Sequence, residues 1–223
     1  MKWMRILFLT IFPVIISFDQ MEAQALRHYL ALGDSYTIGE SVPFQQNFPW
    51  QLVEMLKAKG VLFDAPRIIA KTGWTTDELA SAIKEADELD PLRRDYDLVT
   101  LLIGVNNQYR GRSVEEYASE FEDLVLKAIL FAGDRKENVI VISIPDWGVT
   151  PFAEGRNREK IASEIDLYNK VNHEIAERYH IKYIDITEGT RKAARQPGLL
   201  AADGLHPSAL AYKRWSEQIL TVF

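Results

Sequence analysis

The chain has 223 residues, 47% of them hydrophobic, which is enough for one domain with a substantial core. Its net charge of −6 and isoelectric point near 5.3 argue against nucleic acid or an anionic membrane as the main partner, because both attract basic proteins. The absence of cysteine excludes disulfide bonds, thiolate catalysis and cysteine-based metal sites.

The first 25 residues have the pattern of a secretory signal peptide. Lys2 and Arg5 precede an apolar stretch over residues 6–18, and Ala23 and Ala25 supply the small side chains expected before a cleavage site. An uncleaved membrane anchor is the alternative, although the apolar stretch is short for a membrane span. We therefore expect a periplasmic or secreted protein with no stable membrane anchor after cleavage.

From residue 26 onwards, apolar stretches typical of buried strands alternate with amphipathic stretches typical of helices. The predicted strands cover residues 27–32, 67–70, 98–103, 139–144 and 181–186. The predicted helices cover residues 48–59, 75–87, 113–132, 161–179 and 207–223. This alternation predicts a single α/β domain over residues 26–223, with a five-stranded parallel sheet between two layers of helices.

Three residues with useful chemistry follow predicted strands. Ser35 comes after the first strand, Gly73 after the second and Asn106 after the third. The carboxyl ends of parallel strands share one edge of a sheet, where such folds bind ligands, so we expect the three residues to lie together. A serine hydroxyl beside N–H donors suits acyl transfer. Taken singly, however, Gly73 and Asn106 are each explained equally well as turn residues.

Asp203 and His206 stand three residues apart, just before the last predicted helix. An imidazole can accept the proton of a serine hydroxyl, and a carboxylate on its other nitrogen fixes the tautomer. An isolated pair of this kind is better explained by a helix-capping aspartate and a surface histidine. In combination with Ser35, the pair predicts a serine hydrolase.

Four segments of the chain together resemble the sequence blocks of the SGNH, or GDSL, hydrolases. They are Gly-Asp-Ser-Tyr-Thr-Ile-Gly at 33–39, Gly73, Gly-Val-Asn-Asn at 104–107 and Asp-Gly-Leu-His-Pro at 203–207. The resemblance spans essentially all of the chain after the signal peptide, and its first and last blocks are the specific ones. Asn107 departs from the pattern, because many members have aspartate there.

The resemblance implies a flavodoxin-like three-layer α/β/α sandwich and an esterase mechanism without metal or cofactor. Ser35, Asp203 and His206 would form the catalytic triad. The oxyanion hole would consist of the Ser35 and Gly73 N–H groups and the Asn106 side chain. The implied substrates are carboxylic esters with small or medium acyl groups, including acetylated carbohydrate.

Several alternatives stay open from the sequence. A lysophospholipase or thioesterase would act on longer acyl chains, and a non-catalytic ligand-binding protein could share the fold. The order of strands and helices alone would also suit a flavodoxin-like cofactor binder, but no glycine-rich phosphate loop supports it. We expect Trp74 and Trp147 to bind substrate, although tryptophans more often cover core. Arg110 and Arg112 are interpreted as part of a solvated charged turn.

Overall fold

The computed structural model describes residues 25–223, so all but the last residue of the predicted signal peptide lies outside the described part. Five strands form one parallel sheet: β1 (Tyr29–Asp34), β2 (Arg67–Lys71), β3 (Leu98–Leu102), β4 (Val139–Ile142) and β5 (Lys182–Ile184). Their spatial order is β2-β1-β3-β4-β5, which is the flavodoxin-like order. The predicted fold class is therefore confirmed.

Eight α-helices are present between residues 25 and 223. They are α1 (Ser35–Ile38), α2 (Phe48–Ala58), α3 (Thr76–Leu89), α4 (Val105–Tyr109), α5 (Val114–Phe131), α6 (Arg158–Arg178), α7 (Thr187–Arg191) and α8 (Ala209–Leu220). Helices α2 and α8 pack together, while α5 packs against both α3 and α6. The sheet thus lies between two helical layers. None of the helices in this part of the chain is long and apolar enough to cross a bilayer.

Side-chain caps define where the long helices begin. Asn47 accepts a 3.0 Å hydrogen bond from the Trp50 N–H at the start of α2, and Ser113 caps α5 in the same way. Helix α6 begins three residues earlier than predicted, because Asn157 caps a charged first turn that has no apolar periodicity. Helix α8 begins two residues later than predicted, because Ser208 is its cap.

Several elements differ from the sequence-based expectation. The first strand covers Tyr29–Asp34 rather than 27–32, and Arg27 forms only an isolated bridge. Helices α1, α4 and α7 have four or five residues, too few for a periodic pattern to indicate them. Two 3₁₀ turns, Trp147–Val149 and Pro151–Ala153, lie between the fourth predicted strand and the fourth predicted helix, where the sequence shows no helical pattern.

The central strands hold the functional edge of the sheet in place. Every residue of β1, β3 and β4 is buried. The sheet order changes direction between β1 and β3, and a crevice opens at such a point beyond the carboxyl ends of the strands. Ser35 follows β1 directly, and Asn106 lies four residues after the end of β3.

Candidate active site

Ser35 is the first residue of α1 and lies directly after β1. Asp34 caps this short helix by accepting a 3.0 Å hydrogen bond from the Tyr36 N–H. At Gly33 a Cβ atom would lie 2.4 Å from the Leu102 carbonyl oxygen, so only glycine allows β1 to approach β3 here. The tight strand-to-helix turn therefore places the serine hydroxyl at the crevice.

Ser35, His206 and Asp203 form a continuous chain of hydrogen bonds. The Ser35 Oγ lies 2.9 Å from the His206 Nε2, and the His206 Nδ1 lies 2.6 Å from the Asp203 Oδ2. Ser35 and His206 are both buried. In this arrangement the imidazole can accept the serine proton while the carboxylate stabilises the resulting imidazolium.

The Asp203 carboxylate accepts four hydrogen bonds. Its Oδ1 accepts from the Leu205 and His206 N–H groups at 3.0 Å each, which folds the turn so that the carboxylate meets the imidazole. Its Oδ2 accepts from His206 and, at 2.7 Å, from the Ser41 hydroxyl. Partial burial raises the pKa of Asp203, but these hydrogen bonds lower it more. The pKa of this carboxyl group therefore lies well below its usual range.

Two further groups face the same cavity as Ser35. Gly73 has a φ of +87°, a conformation that favours glycine, and its N–H donates to no acceptor in residues 25–223. Asn106 lines this cavity, and its Nδ2 donates to the Trp74 carbonyl at 2.9 Å and lies 3.5 Å from the Asp34 Oδ2. The structure thus brings together all five residues predicted for the triad and the oxyanion hole.

Asn107 connects the two loops that carry Gly73 and Asn106. Its side chain is fully buried, accepts from the Thr76 N–H at 3.1 Å and donates to the Thr76 hydroxyl at 2.6 Å. That hydroxyl in turn donates to the Glu120 carboxylate. A neutral amide suits this position because it supplies both the acceptor and the donor that Thr76 requires.

Asp34 is a second carboxyl group next to Ser35, and it is completely buried. Burial raises its pKa to about 7, although backbone hydrogen bonds from Tyr36 and from its own N–H lower the pKa in part. A cationic partner is not among its contacts in residues 25–223. The ionised form of Asp34 is therefore disfavoured in the folded protein.

Aromatic side chains form the wall of the cavity around Ser35. Tyr109, Trp147 and Phe152 contact one another, with ring centroids 5.4 to 6.1 Å apart. Trp147 is buried and donates from its Nε1 to the Gln108 side chain at 2.7 Å. Trp74 does not line this cavity, because its side chain packs against the core. Of the two tryptophans predicted at the cleft, the structure places only Trp147 there.

A second, largely apolar cavity adjoins the first. It encloses about 640 Å³, including its open mouth. Tyr36, Trp147 and Leu205 line both cavities and thus form the wall between them.

Arg110 and Arg112, which follow Asn106 in the chain, make structural contacts. Arg110 contacts Glu78 and the Gly73 carbonyl, and Arg112 pairs with Asp77, which agrees with the charged turn expected from the sequence. Within residues 25–223, no group of three or more His, Cys, Asp or Glu side chains is arranged to hold a metal ion.

Sequence reasoning missed two residues at the site: Ser41, which contacts Asp203, and Tyr109, which lines the cavity. Ser41 follows Ser35 by six residues and has a left-handed backbone, φ 65°. No pattern in the sequence distinguishes either residue, because each matters only through neighbours distant in the chain.

Residues 31–214 match the sequence model of the family described as GDSL-like Lipase/Acylhydrolase. No curated protein matches the sequence. Among solved structures, the lipase/acylhydrolase from Enterococcus faecalis superposes with a TM-score of 0.67 at 22% identity, covering 88% of this chain and 94% of that one. TesA gives a TM-score of 0.67 at 18% identity, with coverage of 88% and 97%.

Axe2, an acetylxylan esterase from Geobacillus stearothermophilus, is also similar. It gives a TM-score of 0.65 at 20% identity, with coverage of 88% of this chain and 93% of that one. At such identities the structural likeness concerns the fold.

Proposed function

The chain belongs to the GDSL-like lipase/acylhydrolase family of serine ester hydrolases, and from that premise we propose that it cleaves carboxylic esters through an acyl-enzyme on Ser35. One observation carries the proposal. The Ser35 hydroxyl, the His206 imidazole and the Asp203 carboxylate are hydrogen bonded in series at 2.9 and 2.6 Å. This series converts a weak nucleophile into an effective one.

In the proposed reaction, His206 Nε2 accepts the proton as Ser35 Oγ attacks the ester carbonyl carbon. The tetrahedral intermediate then collapses, and His206 gives the proton to the leaving alkoxide, which departs as the alcohol. A water molecule next loses a proton to His206 and attacks the acyl-enzyme, releasing the carboxylic acid and restoring Ser35. Asp203 stays ionised throughout and holds the imidazole in one tautomer.

The oxyanion would be bound by the N–H groups of Ser35 and Gly73 and by the Asn106 amide. The unused Gly73 N–H supports this assignment. The Asn106 Nδ2 has two hydrogens: one is committed to the Trp74 carbonyl at 2.9 Å, and the other faces Asp34 over a long 3.5 Å. This second hydrogen is the one that would bind the oxyanion, because its contact with Asp34 is long and weak.

The proposed substrates have small or medium acyl groups, with acetylated carbohydrate as one class. The wall formed by Tyr36, Trp147 and Leu205 supports a limit on acyl length. The apolar cavity behind that wall favours a second candidate, a lysophospholipase or thioesterase on longer chains, if the wall opens. We also propose that residues 1–25 are removed on export to the periplasm or the medium and that residues 26–223 form the single hydrolase domain.

Ser35→Ala tests the proposed function. Its rate with p-nitrophenyl acetate should fall by about 10⁴-fold or more, whereas its circular dichroism and melting temperature should match those of the parent. Hydrolysis at the parent rate would refute the assignment. A series of p-nitrophenyl esters from acetate to decanoate then separates the two substrate classes, since a maximum beyond octanoate would favour the longer-chain candidate.

A further inference from the structure

Arg156 lies among the three aromatic rings that line the candidate active site. Its guanidinium carbon is 5.0 Å from the ring centroid of Tyr109, 5.3 Å from that of Trp147 and 5.7 Å from that of Phe152. Each of these distances suits a cation–π interaction. The three rings therefore hold a positive charge beside the cleft that contains Ser35.

Some N–H donors of the Arg156 guanidinium are not used by other residues of the described chain. Its Nη2 donates to the Tyr109 hydroxyl at 3.0 Å, but within residues 25–223 its Nε and Nη1 have no acceptor, and no carboxylate lies within 4 Å. Other arginines near the cleft differ in this respect. Arg110 pairs with Glu78, and Arg158 donates to two backbone carbonyls. Arg156 is thus pre-positioned, and binding an anion would cost it little side-chain entropy.

The rings next to Arg156 are partly open to solvent. Tyr109 and Phe152 are each 44% exposed, which leaves apolar surface at the cleft for a ring of a ligand to cover. The chain as a whole carries a net charge of −6 and repels anions at long range. A local cation with free donors is what an anionic substrate would need to overcome that repulsion.

We propose that Arg156 binds a carboxylate on the alcohol portion of the substrate while Tyr109 and Phe152 cover its ring. The substrate class is then an ester of a ring-bearing, carboxylate-bearing alcohol, such as an acetylated sugar acid. This inference rests on the proposed esterase function, and it adds the chemical class of the leaving alcohol.

The test compares 4-acetoxybenzoate with its neutral methyl ester, methyl 4-acetoxybenzoate, since both present the same acetyl group on a ring. In Arg156→Gln, the ratio of kcat/KM for the anionic ester over the neutral ester should fall about tenfold, as expected for the loss of charge-assisted hydrogen bonds. Arg156→Lys should retain part of the preference, because it keeps the charge without the planar fork. A ratio unchanged in Arg156→Gln overturns the inference.

Arg27→Gln is the matched control. Arg27 also stacks on an aromatic ring, that of Phe223 at 6.0 Å, but it precedes β1 and so lies at the opposite edge of the sheet. The Arg27→Gln variant removes the same unit of charge as Arg156→Gln, but away from the cleft. Its ratio of kcat/KM for the anionic over the neutral ester should therefore equal that of the parent. A fall equal to that in Arg156→Gln would show a general effect of net charge and overturn the inference.

Binding separates this inference from the proposed function. Ser35→Ala should bind intact 4-acetoxybenzoate in a calorimetric titration, and adding Arg156→Gln should weaken that binding about tenfold. If the parent hydrolyses neither ester but Ser35→Ala shows this dependence, the esterase proposal fails and the anion site stands. If hydrolysis is observed and binding does not depend on Arg156, the anion site alone fails.

Discussion

The hydroxyl of Ser41 donates a 2.7 Å hydrogen bond to the same Asp203 oxygen that accepts from His206. The two residues are 162 positions apart in the sequence. The loop after Ser35 therefore contacts the carboxylate that is hydrogen bonded to the imidazole, and it joins the first and last segments of the candidate triad.

Ser41→Ala should lower kcat with p-nitrophenyl acetate about tenfold, because a hydrogen bond to a charged group contributes about 1.5 kcal/mol. Ser41→Gly is the matched control, since it removes the same hydroxyl but suits the left-handed backbone at φ 65°. Both variants should lose similar activity, and the glycine variant should melt higher. Full activity in Ser41→Gly would contradict this role for the hydroxyl.

Asn106→Ala should reduce kcat by about 10²- to 10³-fold, the usual effect of deleting one oxyanion donor. The KM should change little, because this hydrogen bond strengthens mainly in the transition state. Steady-state kinetics over a range of ester concentrations separate the two constants. An unchanged kcat would remove Asn106 from the oxyanion hole.

Asn107→Asp should destabilise the protein by about 1–3 kcal/mol at neutral pH, as expected for a buried charge without a cationic partner. The new aspartate would compete with Glu120 for the hydrogen bond that the Thr76 hydroxyl now donates to Glu120. The two carboxylates would then repel each other. Adding Glu120→Gln should recover part of the loss in urea unfolding. Two losses that simply add would show that Asn107 and Glu120 are not coupled through Thr76.

The raised pKa of Asp34 predicts that the stability of the folded protein depends on pH. Its folded-state pKa of about 7 lies above the ordinary carboxyl value of about 3.9, so between these pH values the folded protein keeps a proton that the unfolded chain has lost. The contribution of Asp34 to stability therefore falls as pH rises through this window, by at most about 1.4 kcal/mol per pH unit.

Asp34→Asn, which cannot titrate, should remove this component. The difference in free energy of unfolding between the variant and the parent should move in favour of the variant from pH 5 to pH 7.5. A difference that stays constant over that range would show that Asp34 has an ordinary pKa.

Leu205→Ala should shift the preference for p-nitrophenyl esters towards longer acyl chains, because Leu205 forms part of the wall between the two cavities. The backbone N–H that Leu205 donates to Asp203 is kept in this variant. Activity on acetate should thus persist while the rate with octanoate rises relative to it. An unchanged profile would show that this side chain does not limit acyl length.

Much of the fold follows from local patterns in the sequence. Hydrophobic periodicity predicts the five strands and the five long helices. A helix buried on one face has apolar residues at helical spacing, and a fully buried strand has a continuous apolar run. It misses α1, α4 and α7, since four or five residues are less than two helical turns. Two of these short helices contain Ser35 and Asn106.

The sequence alone predicts the order of the elements and the strand ends at which Ser35, Gly73 and Asn106 lie, because strand direction in a parallel sheet fixes one common edge. It also indicated the pairing of Asp203 with His206, which a single tight turn brings together.

The three-dimensional fold alone shows which side chains from distant segments meet. It placed Trp147 at the cleft and Trp74 against the core, joined Asn107 to Thr76, and set Arg156 among three rings. Such contacts depend on the paths of loops between elements, and loop paths follow from packing against the rest of the molecule rather than from a repeating pattern.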